Sequence, residues 1–271
     1  MRIFAIRDEY EPGRGDAAYL FYYEREKQFY IELPDGADPW ETPLILSSML
    51  SRGEMTVDAY WSKVWVQQRI IPPDRQNIGQ ILRDNRLDSY DEFQLLIRAD
   101  GRCAQDDYYI SEIHLEDLPQ SILARFEHRV EDIAALPGRR LLVFFRNSEA
   151  KLCDLTELLS GSRAFAPILK NDDYFQNVRL QVGGYGISWG EQLTIPDHKL
   201  YQTGVAVPLS HDDLAAFVRQ RVVTTAEAAQ LLDCSKQNVD DLVRRGKLHP
   251  LKETPKGKLF FKNEVVKRLW N

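Results

Sequence analysis

Cysteines and long apolar runs are scarce in this sequence. Its 271 residues include Cys103, Cys153 and Cys234, an odd number at wide spacing that gives no disulfide framework. We therefore expect reduced thiols and a cytoplasmic location. No stretch reaches the ~18 consecutive apolar residues that a membrane helix needs, and residues 1–8 lack the apolar core of a signal peptide. No membrane partner is predicted.

The sequence also lacks the spacings that mark metal sites. Its cysteines and its five histidines form no Cys-x-x-Cys or His-x-x-x-His pair. The glycine cluster Gly183-Gly184-Tyr185-Gly186 precedes a strand pattern, whereas a phosphate-binding loop would open a helix, so we interpret it as a turn. We expect no metal, no cofactor and no catalytic residues, and therefore no enzyme activity.

Charge is distributed unevenly along the chain. The whole sequence carries a net charge of −6, yet residues 222–271 hold ten Lys and Arg against six Asp and Glu, a net charge of +4. A small basic segment on an acidic body indicates a polyanionic partner for that segment. The alternative is an ordinary fluctuation of surface charge, and charge alone does not separate the two.

Residues 1–210 mix β-hairpin patterns with short helices and show no regular strand–helix–strand alternation. The clearest helix pattern runs from Pro119 to Leu136, with its apolar residues on one stripe, and it ends at Pro137-Gly138. These patterns predict an α+β fold with two small α+β domains, residues 1–136 and 139–210, followed by a third segment at 222–271.

The third segment is predicted to form two short helices joined by a tight turn. Thr224 or Thr225 can cap the first helix, Ser235 can cap the second, and Gly246 can end it in the left-handed conformation. Helices of about eight and eleven residues, joined by a three- to four-residue turn at Asp233-Cys234, have the dimensions of a helix-turn-helix.

A β-hairpin and a last helix are predicted next. Residues 251–262 are interrupted by Pro255-Lys256-Gly257-Lys258, which is typical of a hairpin with a basic tip. Asn263 can cap the last helix, and Val265, Val266 and Leu269 are predicted to pack inward. The sequence therefore predicts a winged helix-turn-helix over residues 222–271.

The side chains of this segment suit double-stranded DNA. In the major groove, Gln and Asn can bond adenine, and Lys can reach guanine or phosphate. The predicted base contacts, all in the first turn of the second helix, are Ser235, Lys236, Gln237 and Asn238. Other side chains would hold phosphates without reading the sequence. The predicted phosphate contacts are Thr225, Arg244, Arg245, Lys256, Lys258 and Lys262.

The same segment carries a recurrent residue pattern. The matching positions are Thr225, Ala228-Ala229, Leu232, Ser235, Val239, Leu242-Val243, Arg244-Arg245-Gly246 and Leu248. Over about 48 residues it resembles the winged helix-turn-helix of excisionases and MerR-like regulators, which implies DNA binding. It departs from that pattern at Asp233, where a turn glycine is usual, and at Asp240 and Asp241, where an aromatic and a basic residue are usual.

A second resemblance covers residues 139–209. The positions that carry it are Asp154, Leu155, Phe175, Ile187, Trp189 and Leu200-Tyr201. They are similar to those of a small bacterial domain family of unknown function, whose members sometimes carry a C-terminal helix-turn-helix. The resemblance implies an α+β fold and supplies no catalytic residues.

The favoured hypothesis is a DNA-binding protein that acts as a transcriptional regulator. One helix-turn-helix buries little surface for specific binding, so we expect a homodimer that forms through the body of the protein. The two domains within residues 1–210 would sense, dimerise or recruit, and the N-terminal one is the candidate for binding an unknown ligand or protein. The alternative is a non-enzymatic interaction module whose helix-turn-helix contacts a protein, because Asp240 and Asp241 repel phosphates.

Overall fold

The computed structural model describes residues 1–11, 13, 15–190 and 192–269, without the side chain of Leu269. It combines helices with antiparallel sheets, which confirms the predicted α+β class. The chain divides into two compact units: unit 1 holds residues 1–147 and 152–204, and unit 2 holds residues 148–151 and 205–271. The finer boundaries at 136 and 139 stay a prediction. Of the helices within the described ranges, none is both long and apolar enough to cross a bilayer.

Unit 1 contains eleven strands and nine α-helices among its described residues. The strands are β1 (Arg2–Asp8), β2 (Ala18–Tyr23), β3 (Gln28–Glu32), β4 (Thr56–Val57), β5 (Tyr108–Ile113), β6 (Val130–Leu136), β7 (Arg140–Phe145), β8 (Ala150–Asp154), β9 (Arg179–Leu180), β10 (Gly186–Trp189) and β11 (Leu193–Pro196). The helices are α1 (Leu44–Leu50), α2 (Ala59–Gln67), α3 (Ile78–Asp84), α4 (Glu92–Arg98), α5 (Gln120–Glu127), α6 (Thr156–Ser160), α7 (Ala166–Lys170), α8 (Asp172–Gln176) and α9 (Asp197–Thr203). The first two residues of β8 are grouped with unit 2.

The first sheet of unit 1 has the strand order β4-β3-β2-β1-β5 and is covered on both faces. Successive side chains of a strand point to opposite faces, so a sheet buried on both sides needs nearly continuous apolar strands. On one face Phe4 packs against Phe93 of α4, with ring centres 5.9 Å apart. On the other face Phe21 packs against Phe126 of α5, with ring centres 5.2 Å apart. This explains the apolar runs of β1, β2 and β3.

The predicted helix from Pro119 to Leu136 is wrong in its second half. Helix α5 ends at Glu127, and β6 continues from Val130 as the antiparallel partner of β7. The Pro137-Gly138 pair that marked a helix stop forms the hairpin turn, with Gly138 at φ 78°. Pairing with the strongly apolar β7 outweighs the helical spacing, which is a local signal only.

The glycine cluster forms a turn ahead of β10, as the sequence predicted. Gly183 and Gly184 have φ values of 71° and 79°, a conformation that favours glycine. Close packing adds a second reason, because a Cβ at Gly183 would lie 2.2 Å from the Tyr23 hydroxyl oxygen. A Cβ at Gly184 would lie 2.3 Å from the carbonyl oxygen of Val130. Both positions therefore require glycine for structural reasons.

A buried group of charges lies in unit 1. The side chains of Glu32, Arg129 and Asp197 belong to residues that are 0%, 1% and 5% exposed. The Arg129 guanidinium donates to both carboxylates, at 2.5 Å to Asp197, and lies 3.6 Å from the ring centre of Tyr185. Burial alone would lower the pKa of Arg129, but the neighbouring acidic groups outweigh it and raise that pKa. The guanidinium therefore stays charged inside the protein.

Unit 2 contains a small sheet with helices packed around it. Its elements are β12 (Val205–Val207), α10 (His211–Arg221), β13 (Val222–Thr224), α11 (Thr225–Leu231), α12 (Lys236–Arg244), β14 (Lys252–Thr254), β15 (Gly257–Phe261) and α13 (Lys262–Val266). The sheet order is β13-β15-β14. One apolar core joins β13, α11, α12, β15 and α13 and is formed by Val223, Ala228, Ala229, Val239, Leu248, Phe260 and Val265. The predicted inward packing of Leu269 lies outside the described side chains.

Candidate nucleic-acid interface

The first helix of the basic segment, α11, begins at a reciprocal cap. The Thr224 hydroxyl accepts a hydrogen bond from the Glu227 backbone N–H at 3.3 Å, and the Glu227 carboxylate accepts from the Thr224 backbone N–H at 2.7 Å. That backbone bond, together with the one from the Thr224 hydroxyl, lowers the pKa of Glu227. Of the two threonines that the sequence offered as caps, Thr224 is therefore the cap.

A four-residue link, 232–235, joins α11 to α12. Asp233 lies within it at φ 48°, in the left-handed region where the related pattern carries glycine. Aspartate is one of the few residues besides glycine that adopts this conformation at modest cost. The Cys234 backbone N–H donates to the carbonyl of Ala229 at 3.0 Å, which satisfies the end of α11. The departure at Asp233 thus preserves the turn.

Helix α12 presents its first turn to solvent. Ser235 caps it by accepting a hydrogen bond from the Asn238 backbone N–H at 3.2 Å. The next side chains, Lys236, Gln237 and Asn238, are exposed, whereas Val239 is 0% exposed and lies in the core of unit 2. The four predicted base contacts therefore lie together on one exposed turn that is anchored from behind.

The hairpin β14–β15 is fastened to both helices. The Thr225 hydroxyl of α11 exchanges hydrogen bonds with the backbone of Lys258, at 3.2 Å and 3.3 Å. The Lys258 ammonium donates to the Asp240 carboxylate of α12 at 2.8 Å. That hydrogen bond raises the pKa of Lys258. The hairpin thus has a defined position relative to α11 and α12, which suits a rigid binding surface.

The two aspartates of α12 are both paired with cations. Asp240 bonds Lys258, and Asp241 lies 2.9 Å from the Arg244 guanidinium one turn later. Their charges are therefore offset within unit 2, at the expense of two predicted phosphate contacts. The Asp241–Arg244 pair follows from i, i+3 spacing in a helix. The Asp240–Lys258 pair joins residues of two different elements, which no local spacing predicts.

The six predicted phosphate contacts differ in how much of each side chain is available. The side chains of Arg245 and Lys256 are exposed and make no ion pair among the described residues. Arg244 is 76% exposed at its side chain, and that of Lys258 is 24% exposed. Lys262 opens α13 and is half-buried. The Thr225 hydroxyl is already used by the hairpin, so the structure assigns it a positioning contact with Lys258.

Gly186-Ile187-Ser188-Trp189-Gly190 in unit 1 matches the Gly-x-Ser-x-Gly pattern of hydrolases. That chemistry needs the serine on a sharp turn between a strand and a helix. Ser188 instead lies within β10, opposite Thr194, and the next described element is β11. Across the described residues, no three His, Cys, Asp or Glu side chains converge as metal ligands would.

Comparison with known proteins gives little further information. No family model matches the chain, and no curated protein matches it. A crystal structure of a protein from Nitrosomonas europaea ATCC 19718 named Putative DNA Binding Protein matches over 45% of this chain and 79% of that chain. The two are 20% identical with a TM-score of 0.26, a likeness too low to support a conclusion about fold or function.

Asp240→Asn tests whether this carboxylate restrains a phosphate contact. We expect affinity for duplex DNA to rise roughly threefold to tenfold at ~0.1 M salt, because Lys258 is released and one negative charge is lost. Fluorescence anisotropy of the full chain measures the change. Asp173→Asn, an exposed site in unit 1, makes the same charge change and should leave affinity unaltered. A fall in affinity with Asp240→Asn would contradict this expectation, because Asp240 would then either accept from a cytosine amino group or be needed to hold the hairpin.

Proposed function

We propose that residues 222–271 form a winged helix-turn-helix that binds double-stranded DNA, and that the protein is a transcriptional regulator. In this proposal α12 enters the major groove with Lys236, Gln237 and Asn238 toward base edges. The hairpin tip and the end of α12 lie along the phosphates, where Lys256 and Arg245 contribute positive charge.

One observation supports the proposal above the others: the first turn of α12 is exposed while the rest of the helix is anchored. A helix that reads bases needs polar side chains directed outward at its N-terminus, where the helix end also attracts phosphate. The core behind it holds Val239, and the hairpin beside it is held by Thr225 and Asp240. The surface is therefore organised before any partner arrives, so little ordering entropy opposes binding.

Ion pairing of the aspartates favours DNA over a protein partner. An unpaired carboxylate on this helix would repel phosphates, which was the basis of the protein-contact alternative. Lys258 and Arg244 offset both carboxylates, and the segment keeps its net charge of +4. Long-range attraction of a polyanion depends on this net charge. The two ion pairs therefore reduce the number of strong phosphate contacts, but the segment still attracts DNA.

The test is equilibrium binding of the full chain to a labelled duplex over a series of salt concentrations. DNA binding predicts that log affinity falls linearly with log salt, with a slope of about −3 to −5 for the phosphates neutralised. A slope near zero, or no binding at low salt, would contradict the proposal and leave the protein-contact alternative.

A further inference from the structure

Helix α10 carries an apolar stripe that the monomer leaves open. Leu214, Phe217 and Val218 are spaced i, i+3 and i+4 and share one side of the helix. Phe217 is 48% exposed and Val218 is 46% exposed, and no described side chain of α10 is buried. The Phe217 ring lies 6.4 Å from the ring of Phe261, which is 37% exposed and extends the stripe onto β15.

The charges of α10 are arranged with opposite signs at its two ends. Asp212 and Asp213 lie in the first turn, and Arg219 and Arg221 lie in the last. At about 100° per residue, Arg221 falls on the side of the apolar stripe, whereas Arg219 lies about 140° from Leu214. Within the described part of the chain, neither arginine at the basic end of the helix makes an ion pair.

We propose that α10 pairs in antiparallel fashion with α10 of a second copy of this chain. A two-fold axis across the stripe places Leu214 of each copy against the partner's Phe217. The same axis brings Arg221 beside the partner's first turn, where the Asp213 carboxylate already accepts from the Ser210 hydroxyl at 2.7 Å. Each ion pair forms twice, because a two-fold interface uses the same patch on both copies. Parallel pairing would set like charges together at both ends.

The size of the interface sets its strength. Two eleven-residue helices bury less than the ~1,200 Å² of a stable complex, so we expect dissociation in the micromolar range. Val222 is the C-cap of α10 and the first residue of β13, so α10 leads directly into the basic segment. Pairing of two α10 helices would therefore link the basic segments of the two copies. In that respect the inference rests on the proposed function: a duplex carrying two half-sites would strengthen the dimer through effective concentration.

Sedimentation velocity of the full chain, from about 1 µM to about 300 µM, tests the pairing. We expect the wild type to shift from monomer to dimer across this range. Val218→Glu and Arg221→Glu should each raise the dimer dissociation constant at least about tenfold, because each leaves a charge in an unfavourable contact. Arg219→Glu changes the same charge on the opposite side of the same helix and should leave the constant unchanged.

Two results would overturn the pairing: a wild type that stays monomeric at every concentration, or a dimer that neither stripe variant weakens. Binding of Val218→Glu to a duplex with one half-site separates this inference from the proposed function, since that affinity should equal the wild-type value. A wild type that dimerises through α10 without binding any duplex would support the pairing and contradict the DNA proposal.

Discussion

Arg129→Met is expected to lower the free energy of unfolding by about 3–5 kcal/mol, because buried Asp197 loses its guanidinium partner and buried Glu32 keeps only the partly exposed Arg125. Glu32 and Asp197 share this guanidinium, and both lie in the interior of unit 1. Methionine fills a similar length but offers no charge and no donor. Urea unfolding followed by tryptophan fluorescence measures the change, since four of the five tryptophans lie in unit 1.

Two comparisons make this prediction specific. Arg102→Met removes an ion pair with Glu9 in which both side chains are 46% exposed, and it should cost less than about 1 kcal/mol. Adding Glu32→Gln to Arg129→Met should recover part of the loss, because it removes a buried charge that only Arg125 would then offset. The cost should also shrink as pH falls, since burial raises the pKa of Glu32 and a protonated carboxyl needs no cation. Equal costs for Arg129→Met and Arg102→Met would contradict the account of this cluster.

Arg245→Glu combined with Lys256→Glu should weaken binding of the full chain to any duplex about a hundredfold at ~0.1 M salt. Both side chains are exposed and without ion pairs among the described residues, so reversal replaces attraction by repulsion without disturbing the core. The salt dependence should fall by about two units of slope, one for each lost phosphate contact. Anisotropy titrations at several salt concentrations measure both quantities.

The matched control is Arg25→Glu with Lys170→Glu, two exposed sites in unit 1. It makes the same change in net charge, so it measures how much of the effect comes from overall charge alone. We expect the control to lose little affinity for DNA and to keep the wild-type slope of log affinity against log salt. If both double variants lose affinity equally, the contact would not be local to the basic segment, and the proposed phosphate surface would be wrong.

The sequence predicts most local features of unit 2, but the expected Asn263 cap is wrong, because α13 already begins at Lys262. Capping at Ser235, the stop at Gly246, with φ 64°, and the turn at Asp233-Cys234 each depend on residues close together in the chain. The first turn of α12 could also be identified as exposed, because its polar side chains precede the apolar face that begins at Val239. The residue types therefore locate an exposed polar turn, and its contacts with DNA stay a prediction.

What the sequence could not predict depends on contacts between distant residues. Strand β6 carries a helical spacing, and its pairing with β7 overrides that spacing. The Asp240–Lys258 pair and the Thr225–Lys258 hydrogen bonds likewise join separate elements. The ion pairing of Asp240 therefore could not be predicted from the sequence. Buried Glu32 and Arg129 are 97 residues apart in the sequence. No local sequence pattern around either residue indicates that their side chains form an ion pair.

Selection of bound duplexes from a random-sequence pool tests the central claim, that the exposed first turn of α12 reads DNA. The full chain should enrich one motif that contains adenine. Gln237→Ala or Asn238→Ala should each erase preference at one or two positions, a loss of about 1–3 kcal/mol of discrimination, while salt-dependent binding persists. The claim that the first turn of α12 reads DNA would be contradicted by a pool that shows no enrichment. It would also be contradicted if both variants selected the same motif as the wild type.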